Sequence, residues 1–227
     1  VDGRIEHGFR ARLRAAAALA GCEVPKERAE ALVREARATA GRLAGPFARA
    51  LAAAWEREVV AAREKRASAD AERSPRFLCD PSLGGLARWL RAAGYEAATA
   101  PDVAGHRLPD EALRRGLVLI TTDAEVLDRR IVADGSLRVA WVPSALTTAE
   151  QLHMVALDLG LALREPRCMA CGGVLVARAK DEVRPRIPPR TALWKDDYFV
   201  CAGCDRLFWR GTHWERIEAT LRRAVAA

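Results

Sequence analysis

No apolar run in this chain is long enough to span a bilayer, and its first residues lack a signal-peptide pattern. The expected compartment is therefore the cytoplasm, with no membrane partner. Before residue 75 there is no convincing strand, only Ala, Arg, Glu and Leu at helical spacing. No Ser-His-Asp or Cys-His arrangement offers a nucleophile for covalent catalysis, and Gly84-Gly85 lacks the spacing of a dinucleotide or phosphate loop. No internal repeat occurs beyond two Cys-x-x-Cys pairs. Basic residues, by contrast, are plentiful. Lys and Arg number 37 against 30 Asp and Glu, for a net charge of +7 and a pI near 9.5. That balance favours an anionic partner such as nucleic acid.

The 227 residues allow one large domain or two smaller ones, and their character changes twice. Residues 1–75 read as a helical accessory region of three helices: Gly3 to Leu19, Pro25 to about Arg42, and Pro46 to about Ala67. Gly21 and Gly45 punctuate between them. Core-facing positions such as Leu32, Ala36 and Ala40 carry little apolar area, so a thin core is expected, with docking onto the rest of the chain, a protein partner or a second copy. Cys22 reads as a small buried residue, and the segment Arg63–Pro75 as a charged linker or helix tail.

Residues 76–164 alternate short apolar runs with helices, the pattern of a parallel α/β sheet. The strands fall at Arg76–Cys79, Glu96–Ala100, Leu117–Thr122 and Leu137–Val142. Helices are placed at Ser82–Ala93, Pro109–Arg115, Ala124–Ala133 and Ala149–Leu163, the last behind a capping box in Thr147-Thr-Ala-Glu150. Residues 165–227 form a third region, rich in Pro, Trp and Arg, ending in a helix from His213 to Val225.

Carboxylates recur where strands hand over to helices. Asp80 and Asp123 each end an apolar run, Asp110 and Glu111 open the helix after Pro109, and Asp128 lies beyond Asp123. Each has a structural explanation. Asp80 before Pro81 is a good N-cap, Asp110 and Glu111 suit a helix dipole, and Thr122-Asp-Ala-Glu125 has capping-box spacing. Asp128 could simply face Arg129 or Arg130. Together they suggest more, because carboxylates gathered at one sheet edge repel one another unless a cation is present. Hard oxygen ligands suit Mg²⁺ or Mn²⁺, and the matching chemistry is in-line hydrolysis of a phosphodiester. Asp80 and Asp123 are then expected side by side at the carboxyl edge of the sheet, with Asp110 or Glu111 facing them and Asp128 as a further candidate ligand. Carboxylates within a few ångströms of each other would favour that reading, and scattered ones would not. Arg88 and Arg91, on the helix that starts after Asp80, are candidates for bidentate phosphate contacts, and Arg114 and Arg115 are further nucleic-acid-binding candidates.

The cysteines carry a separate signal. Cys168-Met-Ala-Cys171 and Cys201-Ala-Gly-Cys204 supply four thiolates, the closed tetrahedral set of a structural Zn²⁺ site. Four cysteines leave no open position for catalysis. Strands and the Pro-rich loop Val183–Arg190 are expected between the two knuckles.

Taken in order, Asp80-Pro-Ser-Leu-Gly-Gly-Leu-Ala-Arg88-Trp-Leu-Arg91-Ala-Ala-Gly94-Tyr95, Pro109-Asp-Glu-Ala-Leu, Leu-Ile-Thr-Thr-Asp123 and the two cysteine pairs resemble the Mut-seven C-terminal RNase domain family. Pro188-Pro-Arg190 and Phe208-Trp-Arg-Gly-Thr-His-Trp214 extend the likeness, which covers about Arg76 to Arg216. The resemblance implies a PIN-like ribonuclease core followed by a zinc ribbon. Its metal ligands would be Asp80, Asp123 and an acid at Asp110 or Glu111, and its substrate RNA. Trp209, Arg210 and His213 of the ribbon are then candidate RNA contacts by stacking and charge, although Trp209 equally suits the ribbon's small core. Two departures stand out. Family members often have Arg where this chain has Thr122, and many carry a β-rich ubiquitin-like domain where residues 1–75 here read as helical. A catalytically silent nucleic-acid-binding adaptor is the alternative reading.

Overall fold

The computed structural model describes residues 2–19, 26–40, 44–64 and 74–225. Gly21, Cys22, Pro25, Arg42 and most of the charged segment before Pro75 lie outside them. Four short strands, β1 (Phe77–Cys79), β2 (Ala97–Thr99), β3 (Val118–Thr121) and β4 (Val139–Trp141), form a parallel sheet in the order β2-β1-β3-β4. Phe77 lies opposite Ala97 on one side and Val118 on the other, so β1 is central. Parallel strands are covered on both faces, and β1 and β3 are accordingly buried throughout. Their side chains alternate between two cores, as a period of two requires. Leu78 and Leu119 point into one core, closed by Leu108 and Ala112 of α5 (Leu108–Arg115). Phe77, Cys79, Val118 and Ile120 point into the other, which holds α4 (Gly84–Ala92) and α7 (Thr148–Leu159).

Local chemistry sets the helix ends. Asp80 caps a 3-10 turn, Pro81–Leu83, that runs into α4. The helix expected over Ala124–Ala133 is divided: a 3-10 turn, Ala124–Asp128, is followed by α6 (Arg130–Ala133), because Arg129 between them is extended. Thr147 and Glu150 make the capping box of α7. That helix stops at Leu159 rather than Leu163, since Gly160 takes a left-handed conformation with φ of 63°.

The front helices α1 (Asp2–Leu19), α2 (Lys26–Ala40) and α3 (Ala44–Glu64) share the second core. This corrects the expectation of a thin core. Leu32 and Ala36 are buried, but Phe9, Leu13, Phe47, Leu51 and Trp55 supply most of the apolar volume. Fully burying such a side chain contributes about 1.5–3 kcal/mol. Helix α1 lies against the sheet because residue 8 is glycine; a Cβ there would fall inside the Trp141 indole. Arg12 is buried and reaches Asp158 of α7 and the Trp141 carbonyl, while Trp55 Nε1 donates to Asp158 at 2.6 Å. Burial lowers the Arg12 pKa to about 9, which leaves it charged at neutral pH.

Beyond α7 a three-stranded antiparallel sheet forms from β5 (Leu175–Arg178), β6 (Tyr198–Cys201) and β7 (Leu207–Trp209). The Pro-rich connection between β5 and β6 holds two single-turn helices, α8 (Lys180–Val183) and α9 (Pro189–Ala192). The last helix, α10 (Thr212–Val225), returns to pack on α7 and α4.

Candidate functional site

Strand β1 delivers Asp80 to the carboxyl edge of the sheet, where its amide donates to the Ile120 carbonyl of β3 at 2.8 Å. Asp80 Oδ1 accepts from the Ser82 amide at 2.9 Å and the Ser82 hydroxyl at 2.8 Å. Asp123 Oδ1 caps the neighbouring turn by accepting from the Glu125 amide at 3.0 Å. Both acids therefore cap short turns: Asp80 as the sequence suggested, and Asp123 in place of the capping box expected from Thr122. Each cap occupies one carboxylate oxygen only. Asp80 Oδ2 meets the Thr121 hydroxyl at 3.4 Å, and the same hydroxyl accepts from the Asp123 amide at 3.1 Å. Thr121, buried at the end of β3, thus joins the two acids across adjacent strands. Sequence reasoning overlooked Thr121 in this role, although a Thr two residues before an Asp at a strand end is a local turn signal.

The other acids are differently engaged. Asp110 is exposed in the first turn of α5. Glu111 is held by its own helix, accepting from Arg114 at 2.7 Å and lying 3.8 Å from Arg115. Asp128 pairs with His7 of α1 at 2.7 Å. No three carboxylates among the described residues bring their oxygens within 4.8 Å of one another. Asp80 and Asp123 are the two that the fold unites.

Among the basic candidates, Arg88 is exposed on α4 with no side-chain partner among the described residues. Arg91 is committed to backbone. Its Nε donates to the Ala97 carbonyl at 2.7 Å, and its Nη1 to the carbonyls of Met169 at 3.1 Å and Ala170 at 2.8 Å. It fastens the first cysteine knuckle to the far end of α4, whereas the sequence places it as a candidate phosphate contact. Arg114 and Arg115 are tied to Glu111. Cys79, buried in β1, is pushed up to about 12 by that burial and is packing rather than a nucleophile.

The four cysteines converge. The Sγ atoms of Cys168, Cys171, Cys201 and Cys204 all lie within 4.8 Å of one another, with Cys171 and Cys201 at 3.4 Å. Amides of Gly173 and Gly203 donate to Cys171 Sγ at 3.4 Å and Cys201 Sγ at 3.3 Å. Burial works to raise the Cys201 pKa, but bonds from the Cys204 and Gly203 amides and from the Cys171 and Cys204 thiols outweigh it and lower the value to about 6. A Cβ at Gly173 would stand 2.7 Å from Cys201 Sγ, so the knuckles close this tightly only around glycine. This donor set fits Zn²⁺: soft thiolates, tetrahedral in number, oriented by backbone amides.

The two sites lie at opposite ends of α4. Asp80 precedes the helix at the carboxyl edge of the sheet, while Arg91 near its other end holds the ribbon. Gly94 makes that junction possible, with φ of 96° and no room for a Cβ against Arg164 and Glu165. The ribbon's core takes Tyr198, Val200, Leu207 and Trp209 on one face of its sheet. Arg210 is exposed, 5.7 Å over the Phe199 ring, and His213 is exposed on α10.

A four-stranded parallel sheet flanked by helices, with two aspartates at its carboxyl edge, defines an α/β domain, and the four-cysteine cluster that follows it fits a zinc ribbon. The Mut7-C RNase domain model matches residues 75–221, and the chain belongs to that family. Family membership supports a nuclease-type function, and the match takes in both the acidic edge and the cysteine cluster. No curated protein and no solved structure matches the chain. No helix among the described residues is long and apolar enough to cross a membrane.

Proposed function

We propose that the chain is a Mg²⁺- or Mn²⁺-dependent ribonuclease whose centre is the Asp80–Asp123 pair. One observation carries this reading. Two caps on adjacent strand ends meet at Thr121, each with a second carboxylate oxygen not occupied by its cap. Two carboxylates fit a hard divalent cation of this kind, which binds through one or two of them and keeps several waters. When bound there, the cation would acidify a water and neutralise charge on the phosphate.

The chain's own residues would do the rest. Asp80 and Asp123 would hold the cation, while Oδ1 of each stays in its cap and the capping turns fix where the carboxylates point. Thr121 links the Asp80 carboxylate to the Asp123 backbone. Exposed Arg88 is available to a phosphate oxygen of the strand being cut. Asp110, exposed at the start of α5 and without the Arg114 contact that holds Glu111, is the third acid of this reading. Asp128 enters only if it leaves His7. The zinc ribbon is a structural module on the other side of α4 that assists RNA binding.

The alternative, a silent RNA-binding adaptor, draws on the absence of a third carboxylate close to the pair among the described residues. Incubation of zinc-loaded protein with a labelled single-stranded RNA, with and without added Mn²⁺, separates the two. Cleavage only with Mn²⁺ is expected. Binding without cleavage at any Mn²⁺ or Mg²⁺ level would leave the adaptor.

A further inference from the structure

The ribbon sheet has a second face. Register places Phe199 opposite Phe208, away from the face that Tyr198, Val200, Leu207 and Trp209 fill with core. Helix α10 covers this second face only in part: Trp214 stacks on Phe199 at 5.7 Å between ring centroids and 19° between planes. What remains is a cleft of about 600 Å³ between the ribbon, the segment Leu163–Arg167 and α10. We propose that this cleft is a subsite for an unstacked base of single-stranded RNA.

Size, lining and charge agree. Small-molecule sites occupy roughly 300–1,000 Å³, and a nucleobase needs flat apolar walls with a basic margin for its phosphate. The half-buried rings of Phe208 and Trp214 supply the walls. Arg164, Arg167, Arg210 and His213 supply the margin. Two acids also line the cleft, Glu165 and Glu218, and Glu218 is neutralised by Arg222 at 2.6 Å. Arg164 and Arg210 lie over aromatic rings, at 5.2 Å from Tyr95 and 5.7 Å from Phe199, which leaves both without a carboxylate partner among the described residues. A polyanion with flat apolar bases matches this cleft, whereas an acidic peptide would leave the ring walls unfilled.

Position adds a geometric constraint. The inference rests on the ribonuclease reading, with Asp80 just before α4 and Ala92 at the helix's other end lining the cleft. Nine helical residues span about 13 Å at 1.5 Å each. A strand occupying both sites must therefore run the length of α4, past exposed Arg88. The cleft holds a base several nucleotides away from the one cut, and it discriminates single strands from duplexes, whose bases are stacked.

The test uses the full zinc-loaded chain without added Mg²⁺ or Mn²⁺. Binding of a fluorescent uridine-rich RNA of about twelve nucleotides, within the site size of single-strand binders, is followed by anisotropy. Phe208→Ala should weaken it about tenfold, the effect of losing one base–aromatic stack. His213→Ala, an exposed change that does not threaten the fold, should weaken it severalfold. A duplex of the same length should bind wild type and both variants alike. Zinc content measured on each variant excludes a collapsed ribbon. If both variants bind the single strand as wild type does while Mn²⁺-dependent cleavage persists, the subsite is wrong and the ribonuclease reading stands. If wild type neither binds nor cuts RNA, both fall. A dimer that disperses in Phe208→Ala, with RNA affinity unchanged, would assign the cleft to a second copy of the chain and overturn the proposal.

Discussion

Asp80 carries two jobs that a pair of substitutions can separate. In Asp80→Asn the side-chain Oδ1 still accepts from the Ser82 amide and hydroxyl, so the cap on the Pro81–Leu83 turn survives. The new Nδ2 faces the Thr121 hydroxyl, which can rotate to accept it. Stability should change by no more than a few tenths of a kcal/mol. Asp80→Ala removes the cap and costs about 1 kcal/mol, a fall in Tm of about 2–4 °C for a chain of this size. Cleavage should follow the other ordering. Both variants lose an anionic oxygen ligand, and since even outer-shell partners of a metal cost 10–100-fold, each should lose at least about a hundredfold in Mn²⁺-dependent kcat/KM. Thermal melts and a time course on labelled RNA read the two effects independently. If Asp80→Asn cleaves within a few-fold of wild type, Asp80 is a cap and nothing more, and the Asp80–Asp123 centre is refuted.

Three further outcomes follow from other contacts. Gly173→Ala should lower zinc retention and Tm together while leaving the parallel sheet folded, since its Cβ would stand 2.7 Å from Cys201 Sγ; zinc analysis after dialysis against a mild chelator checks it, and unchanged retention would show that the knuckle relaxes. Arg12→Ala strands Asp158 in a largely buried site and should cost about 3–5 kcal/mol, whereas Arg12→Met with Asp158→Asn, which removes both charges but keeps an acceptor for Trp55 Nε1, should restore part of it in urea melts. Glu150 gives a pH effect. Partial burial opposes its charge, but bonds from the Thr147 hydroxyl and amide and from Arg49 outweigh it and hold its pKa below the ordinary 4.5. The unfolded chain then takes up the proton first. The stability Glu150 contributes is full above about pH 4.5 and is lost as pH falls through its lower folded value. Glu150→Gln should therefore flatten the acid limb of the stability profile, and an unaltered limb would disprove the assignment.

How far the sequence could be read depended on the range of each interaction. The four strands, the capping box at Thr147 and the pairing of Cys168 and Cys171 with Cys201 and Cys204 were legible, because each rests on residues close together or on a rare ligand type at fixed spacing. Asp80 and Asp123 were legible as strand-end acids. Thr121 was not, because its part depends on β1 and β3 being neighbours. The front helices read as poor in core, since Ala dominates their count, yet a few aromatics spaced far apart carry the packing.

Sequence alone determined the order of strand and helix in the parallel sheet, the four-cysteine set and the family, all of which follow from local periodicity and short motifs. Only the tertiary structure decided which acids meet. Parallel pairing carries Asp80 and Asp123 to one edge, the turn of α5 gives Glu111 to Arg114, and docking of α1 gives Asp128 to His7. It also decided that Arg91 fastens the ribbon instead of facing solvent. A side chain's partners are set by what the rest of the chain brings alongside, and over separations such as the 121 residues between His7 and Asp128 no local pattern encodes them.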